Sequence, residues 1–237
     1  MTISTDELMH GWAAYEFADA DLGDARRTQR LVDLAETLGQ RPTAALPEAC
    51  GDSATLKATY RFFDNDDISA EAILTSHVQA TETRLREQSL VLAVQDTVYL
   101  DWTHHPATTG LGPLAQAHRQ GLLSHTTVAI TPDRVPLGIL QQQVWARDAE
   151  TCCQLDDPKQ RPTHEKESQK WLESLDAVAA ARARCPDTHF VSVGDSEADM
   201  YDLFTAPRPS GVDLLIQSWQ QPVRPSPLPA VRPGSAD

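Results

Sequence analysis

Apolar positions in the first third of the chain recur at helical spacing. Leu8, Trp12 and Tyr15 stand at i, i+4, i+7 and predict an opening helix. Asp24 precedes the run Ala25 to Leu38, whose Leu31, Leu34 and Leu38 form a stripe and which Gly39 and Pro42 bring to a stop. Ser53 is placed to cap a further helix with Leu56, Tyr60 and Phe63 on one face. Ser69 is placed to cap another, running to about Glu87 with Ala72, Ile73 and Leu85 among its apolar positions. Residues 4 to 87 thus read as an all-helical unit.

From Leu90 the period changes. Leu90 to Val94 is a continuous apolar run, as in a strand buried on both faces, and it ends in Gln95-Asp96. Val98 to Leu100 with Trp102 suits a neighbouring strand, Pro106 to Pro113 a loop, and Thr126 to Thr131 a third strand. The turn-length Pro132-Asp133-Arg134 connects that strand to Pro136 to Trp145, which predicts an antiparallel pair. A long helix follows, about Glu165 to Arg184, carrying Trp171, Leu172, Leu175, Val178 and Ala179 and stopped by Cys185-Pro186. Phe190 to Val193 predicts a buried strand, Ser196 to Phe204 a short helix, and Val212 to Gln217 a last strand. Gln221 to Asp237 holds five prolines and no apolar period, so it reads as a disordered tail after a mixed sheet whose continuation is missing. The expected class is α/β.

Composition narrows the functions. The 237 residues hold 34 acidic and 20 basic side chains, a formal charge of -14, which excludes a generic nucleic-acid coat protein. Any DNA contact must be local. No apolar run reaches membrane-spanning length and the first residues have no leader pattern, so a cytoplasmic protein without membrane partners is expected. Cys50, Cys152, Cys153 and Cys185 form no C-x-x-C pair and read as reduced thiols.

Two aspartates follow the two best strands: Asp96 in LVLAVQD and Asp195 in FVSVGD. Side chains at strand ends face crevices, and paired carboxylates are hard donors suited to Mg²⁺ or Mn²⁺. Each Asp also has a plain structural reading, as a strand end or, for Asp195, a helix cap. Glu197 and Asp199 fit a first helical turn better than a ligand set, and Asp101 lies across the strand from Asp96. His104, His105, His118 and His125 show no zinc-ligand spacing. No serine-hydrolase elbow or nucleotide-cradling loop is present. Arg26, Arg27 and Arg30 cluster beside the leucine stripe, and Lys57 and Arg61 repeat the i, i+4 spacing. From Leu22 to Arg61 six basic residues meet five acidic ones, a local contrast consistent with either DNA contact or a solvated helix face.

Several of these segments, in the same order, resemble the insertion-sequence-four family of bacterial cut-and-paste transposases, of the DDE group with an RNase H-like catalytic fold. ADLGDARRTQRLVDLAETL and PEACGDSATLKATYRFFDN resemble the family's helical DNA-binding domain. LAVQDTVYLDW and VSVGDSEADMYDLF resemble the segments with its first two catalytic acids, and GLGPL, GILQQQVWARD and EKESQKWLESL resemble the core between them. The resemblance implies a helical transposon-end DNA-binding domain at 1–87, an incomplete RNase H-like mixed α/β domain at 88–220 and a proline-rich tail at 221–237. It implies Asp96 and Asp195 as catalytic ligands of Mg²⁺ or Mn²⁺, and Arg26, Arg27, Arg30 and Arg61 as contacts to double-stranded DNA at transposon ends. The family's third acid, a Glu in a Tyr-x-x-Arg-x-x-x-Glu-x-x-x-x-x-x-Lys pattern, has no counterpart here, nor do its dimerising helices. The expectation is therefore a truncated, catalytically impaired transposase with self-association in doubt. The alternatives are a small RNase H-type metal-dependent nuclease and an inactive DNA-binding remnant.

Overall fold

The computed structural model describes residues 11–114, 118–148 and 168–218. The predicted tail at 221–237, Cys152, Cys153, Leu8 and the first residues of the long helix lie outside them.

Five helices open the described chain: α1 (Trp12–Phe17), α2 (Ala25–Gly39), α3 (Leu46–Cys50), α4 (Ser53–Phe63) and α5 (Ala70–Leu85). Asp24 caps α2 as expected, its carboxylate accepting from the Arg26 N–H at 2.8 Å, and Ser69 caps α5 through the Ala72 N–H at 3.3 Å. The cap of α4 is Asp52 rather than Ser53. Its extended backbone lets one carboxylate oxygen accept from both Ala54 and Thr55, at 2.8 and 3.0 Å. The short α3 was not expected from the periodicity; Pro47 starts it and Gly51, at φ 73°, ends it.

The buried faces of two helices also differ from the predicted stripes. In α1 Ala13 is buried while Trp12 and Tyr15 are exposed. In α4 Thr59 and Phe62 turn inward, leaving Tyr60 and Phe63 largely in solvent. Thr59 tolerates burial because its hydroxyl donates to the Thr55 carbonyl at 3.0 Å. Phe62 joins Ala20, Leu22, Leu31 and Leu34 in the core of the helical unit. Trp12 lies against α2 so closely that a Cβ on Gly39 would stand 2.6 Å from its ring.

The sheet contains β1 (Leu90–Asp101), β2 (Gly112–Pro113), β3 (Gln120–Ile130), β4 (Pro136–Trp145), β5 (His189–Gly194) and β6 (Val212–Ile216). Its order is β4-β3-β1-β5-β6, with β2 pairing the start of β3. β1, β3 and β4 are antiparallel, whereas β5 and β6 run parallel to β1. The predicted break after Asp96 is absent: β1 continues because β3 pairs with it through Asp101. Between β4 and β5 runs α6 (Gln169–Arg184), whose Trp171, Leu175 and Val178 are buried against the sheet with Val91, Ala93 and Phe190. The predicted helix at 196–204 is split into a 3₁₀ turn, Ser196–Ala198, and α7 (Tyr201–Thr205). None of the described helices is long and apolar enough to cross a membrane.

Helix α5 joins the two regions, contributing Ala72 and Ile73 to the helical core and Leu85 to the sheet core. A polar joint reinforces it. Glu16 of α1 accepts from Arg84 and pairs with His77 Nδ1 at 2.7 Å, while His77 Nε2 accepts the Ile139 N–H of β4 at 2.9 Å and Arg84 donates to the Leu137 carbonyl. Burial alone would raise the Glu16 pKa, but the hydrogen bonds from His77 and Arg84 and their charges outweigh it, and the net shift is downward. The stabilisation is thus present above the ordinary glutamate range and is lost as pH falls through and below it. Glu16→Gln should lower stability by about 1.5–3 kcal/mol near neutrality. In urea unfolding series from pH 7 to pH 3, the gap between the two proteins should close toward the acid end.

Candidate functional site

The four predicted arginines converge. Arg26, Arg27 and Arg30 on α2 and Arg61 on α4 line one open cleft of about 480 Å³, floored by Ala58 and Phe62. Their engagement differs. Arg26 is tied to Asp24 at 2.8 Å, and it holds the Asp24 carboxyl down to about 2, chiefly through that side-chain hydrogen bond. Arg27 pairs with Asp67 and donates to the Leu22 carbonyl at 3.0 Å, so it buttresses the turn before α2. Arg30 and Arg61 are exposed and have no hydrogen-bond or ion-pair partner among the described residues. The inward turn of Phe62 leaves its neighbour Arg61 at the rim, beside exposed Tyr60. Two uncommitted guanidiniums on a shared cleft present donors suited to phosphate oxygens and base edges.

Residues 9–68 match the family model of the transposase DNA-binding domain. The matched stretch contains the whole arginine cleft. It supports DNA as the partner of the helical unit. Positive charge is needed only locally here, because repulsion from distant acids is screened beyond roughly 8 Å at physiological salt.

The two predicted acids also come together, on the sheet. β1 and β5 pair in parallel as far as Val94 beside Val193, and Asp96 and Asp195 each follow two residues later, Asp195 just past the end of β5. Both line an open cleft of about 540 Å³ with Val94, Val193 and Leu215. Asp96 lies within β1, at the level where its parallel partner stops, so the shorter β5 is what opens the crevice. Gly194 permits the tight exit from β5, since a Cβ there would lie 2.7 Å from that of Ala198.

Each carboxylate uses one oxygen locally. Asp96 Oδ1 accepts from the Thr97 N–H at 2.7 Å, and Asp195 Oδ1 caps the 3₁₀ turn through the Glu197 N–H at 2.9 Å. The capping role expected for Asp195 is therefore real, and it still leaves Oδ2 of both residues without a partner among the described residues. These two oxygens are the donors available to a cation. Glu197 does not join them, because its carboxylate is paired with Lys170 Nζ at 3.5 Å. Asp199 accepts from Ser218 at 3.5 Å, and Asp101 is held by Thr103 and Arg119. Among the described residues no cluster of three His, Cys, Asp or Glu side chains is placed to hold a metal.

Behind the acids lie groups that strand periodicity did not single out. Gln95, His125 and Ser192 are buried on the α6 side of the sheet, and the His125 ring meets Trp171 edge-on at 4.6 Å. Burial first, then the positive charge of Lys170, hold His125 down to about 4 against the opposite pull of Asp96 and Asp195. The signal was present in the alternation: Val91, Ala93, Gln95 and Thr97 share a face, and polar residues there require partners.

Proposed function

We propose that this chain is a DNA transposase of the DDE type, gripping transposon-end duplex with its helical unit and carrying an impaired metal-dependent site for phosphodiester cleavage at Asp96 and Asp195. The observation that carries the proposal is the gathering of Arg26, Arg27, Arg30 and Arg61 into one cleft within the stretch matching a transposase DNA-binding domain. The sheet order β4-β3-β1-β5-β6, with three antiparallel strands followed by two parallel ones, supports an RNase H-like reading of the second region.

The free oxygens of Asp96 and Asp195, open to water in one cleft, fit Mg²⁺ or Mn²⁺ completed by water. Such an ion supplies a polarised phosphoryl oxygen and an activated water. The chain's own residues orient it: Asp96 and Asp195 offer the paired charge, and Lys170 keeps Glu197 off the pair. Two-metal transfer requires further anchoring, which the described residues do not assemble. This favours DNA binding without strand transfer over an RNase H-type nuclease. The test is incubation of the purified chain with end-bearing duplex and Mg²⁺ or Mn²⁺. The expected result is a bound complex with at most nicking. Joined transposon and target products would contradict the impairment, and failure to bind any duplex would overturn the proposal.

A further inference from the structure

Resting on the reading of Asp96 and Asp195 as a metal-binding pair, we propose that Gln95, Ser192, His125 and Thr97 form an uncharged clamp that sets the spacing of the two carboxylates. All four are positioning residues, acting through the strands that bear the acids.

The geometry is continuous across three strands. Gln95 Nε2 donates to Ser192 Oγ at 2.6 Å, joining β1 to β5. Gln95 Oε1 faces His125 Nε2 at 3.4 Å, and His125 Nδ1 meets Thr97 Oγ1 at 2.9 Å, joining β1 to β3. Gln95 and Thr97 are the two neighbours of Asp96 in the chain, so both sides of that residue are held from the opposite face of the sheet. Ser192 stands three residues before Asp195 on the paired strand.

The donors and acceptors form one consistent set. With the Gln95 amide turned to give its NH₂ to Ser192, its carbonyl oxygen requires a proton on His125 Nε2. His125 Nδ1 is then a lone-pair acceptor for the Thr97 hydroxyl. Each member keeps a partner while carrying no charge. Neutrality matters because Asp96 and Asp195 line one cleft, and like charges sharing a site disfavour one another. A charged support would perturb the pair, whereas a neutral one fixes the strands without entering their electrostatics. Burying polar groups is costly unless they are bonded, and each of the four finds a bonding partner within the set. Polar side chains here are therefore explained by what their directional bonds hold in place.

The experiment measures Mn²⁺ affinity of the full chain by titration, following the free-ion electron paramagnetic resonance signal, with thermal unfolding recorded for every variant. Asp96→Asn tests the pair, and Gln95→Leu and His125→Phe test the clamp. His125→Gln is the conservative replacement that keeps a donor and an acceptor. The wild type should bind Mn²⁺ and Asp96→Asn should lose it. Gln95→Leu and His125→Phe should each weaken binding about tenfold while remaining folded, as losses of outer partners do at metal sites, and His125→Gln should recover most of the affinity. If His125→Phe fails to fold, Thr97→Val removes the same link with almost no change of volume and is read instead. Wild-type affinity in both clamp variants, with binding lost only in Asp96→Asn, would overturn the clamp and leave the metal-binding pair standing. Equal, weak binding by wild type and Asp96→Asn would overturn the pair and the clamp together.

Discussion

A chain carrying Arg30→Ala and Arg61→Ala together is expected to bind duplex DNA roughly a hundredfold more weakly than the wild type. Each side chain is exposed, lines the cleft between α2 and α4, and has no protein partner among the described residues. Removing it takes nothing from the folded chain but a donor for DNA. A direct contact of this kind is worth about 1–3 kcal/mol, and two on one cleft give a loss of that size. The variant should melt with the wild type, because no described ion pair is broken. Arg86→Ala, just past the end of α5 and 4.0 Å from the Glu82 carboxylate, should bind DNA normally. Fluorescence anisotropy with labelled duplex measures all three. Arg27→Ala should behave differently, since losing its links to Asp67 and Leu22 loosens the entry to α2 as well as the cleft.

Trp171→Ala is expected to be the most destabilising single change in the sheet region, at about 3–5 kcal/mol. The indole is 2% exposed, lies in the core with Phe190 and Val178, and covers the His125 ring. Truncation leaves a cavity between α6 and the sheet and withdraws the wall that keeps His125 dry. It also strips the aromatic face from beneath the Lys170 ammonium, 5.6 Å from the ring centre. Urea unfolding followed by far-ultraviolet circular dichroism should show the unfolding free energy falling by that amount, with a lower midpoint. Trp12→Ala, at a position 39% exposed, should cost far less. Comparable losses at the two sites would mean that α6 is not the main cover of the sheet.

The elements that the sequence made legible were those whose cause is local. Asp24 and Ser69 have short side chains that reach the next exposed N–H groups whatever the rest of the chain does, and both were read as caps. The strands at 90, 190 and 212 are dense in β-branched and apolar residues and announced themselves equally well, while the strand at 136 was marked by the short turn before it. What periodicity missed was decided by partners distant in sequence. Phe62 rather than Phe63 faces the core because of where α2 lies, and Thr59 is buried because a bond to its own helix satisfies it. β1 runs past Asp96 because β3 offers it an antiparallel partner.

The candidate site divides in the same way. Asp96 and Asp195 stood out as acids behind apolar runs, but their lining one cleft depends on the parallel pairing of strands about a hundred positions apart. The arginines showed as a helical cluster, yet the contrast between engaged Arg26 and Arg27 and uncommitted Arg30 and Arg61 needed Asp24, Asp67 and Leu22 in place. The Gln95 and His125 network was legible only in part: Gln95 falls on the face of Val91 and Ala93, but its partners on β3 and β5 are set by the fold.

If DNA is held in the arginine cleft, the salt dependence of binding should change when the cleft loses its two uncommitted guanidiniums. Each phosphate neutralised by a cationic side chain adds about 0.9 to the slope of log affinity against log salt concentration. Measured from 50 to 200 mM salt on one duplex, the Arg30→Ala, Arg61→Ala double variant should show a slope shallower than the wild type by about 1.8, with Arg86→Ala unchanged. A double variant with the wild-type slope and the wild-type affinity would contradict the account and move the DNA contact to another face of the protein.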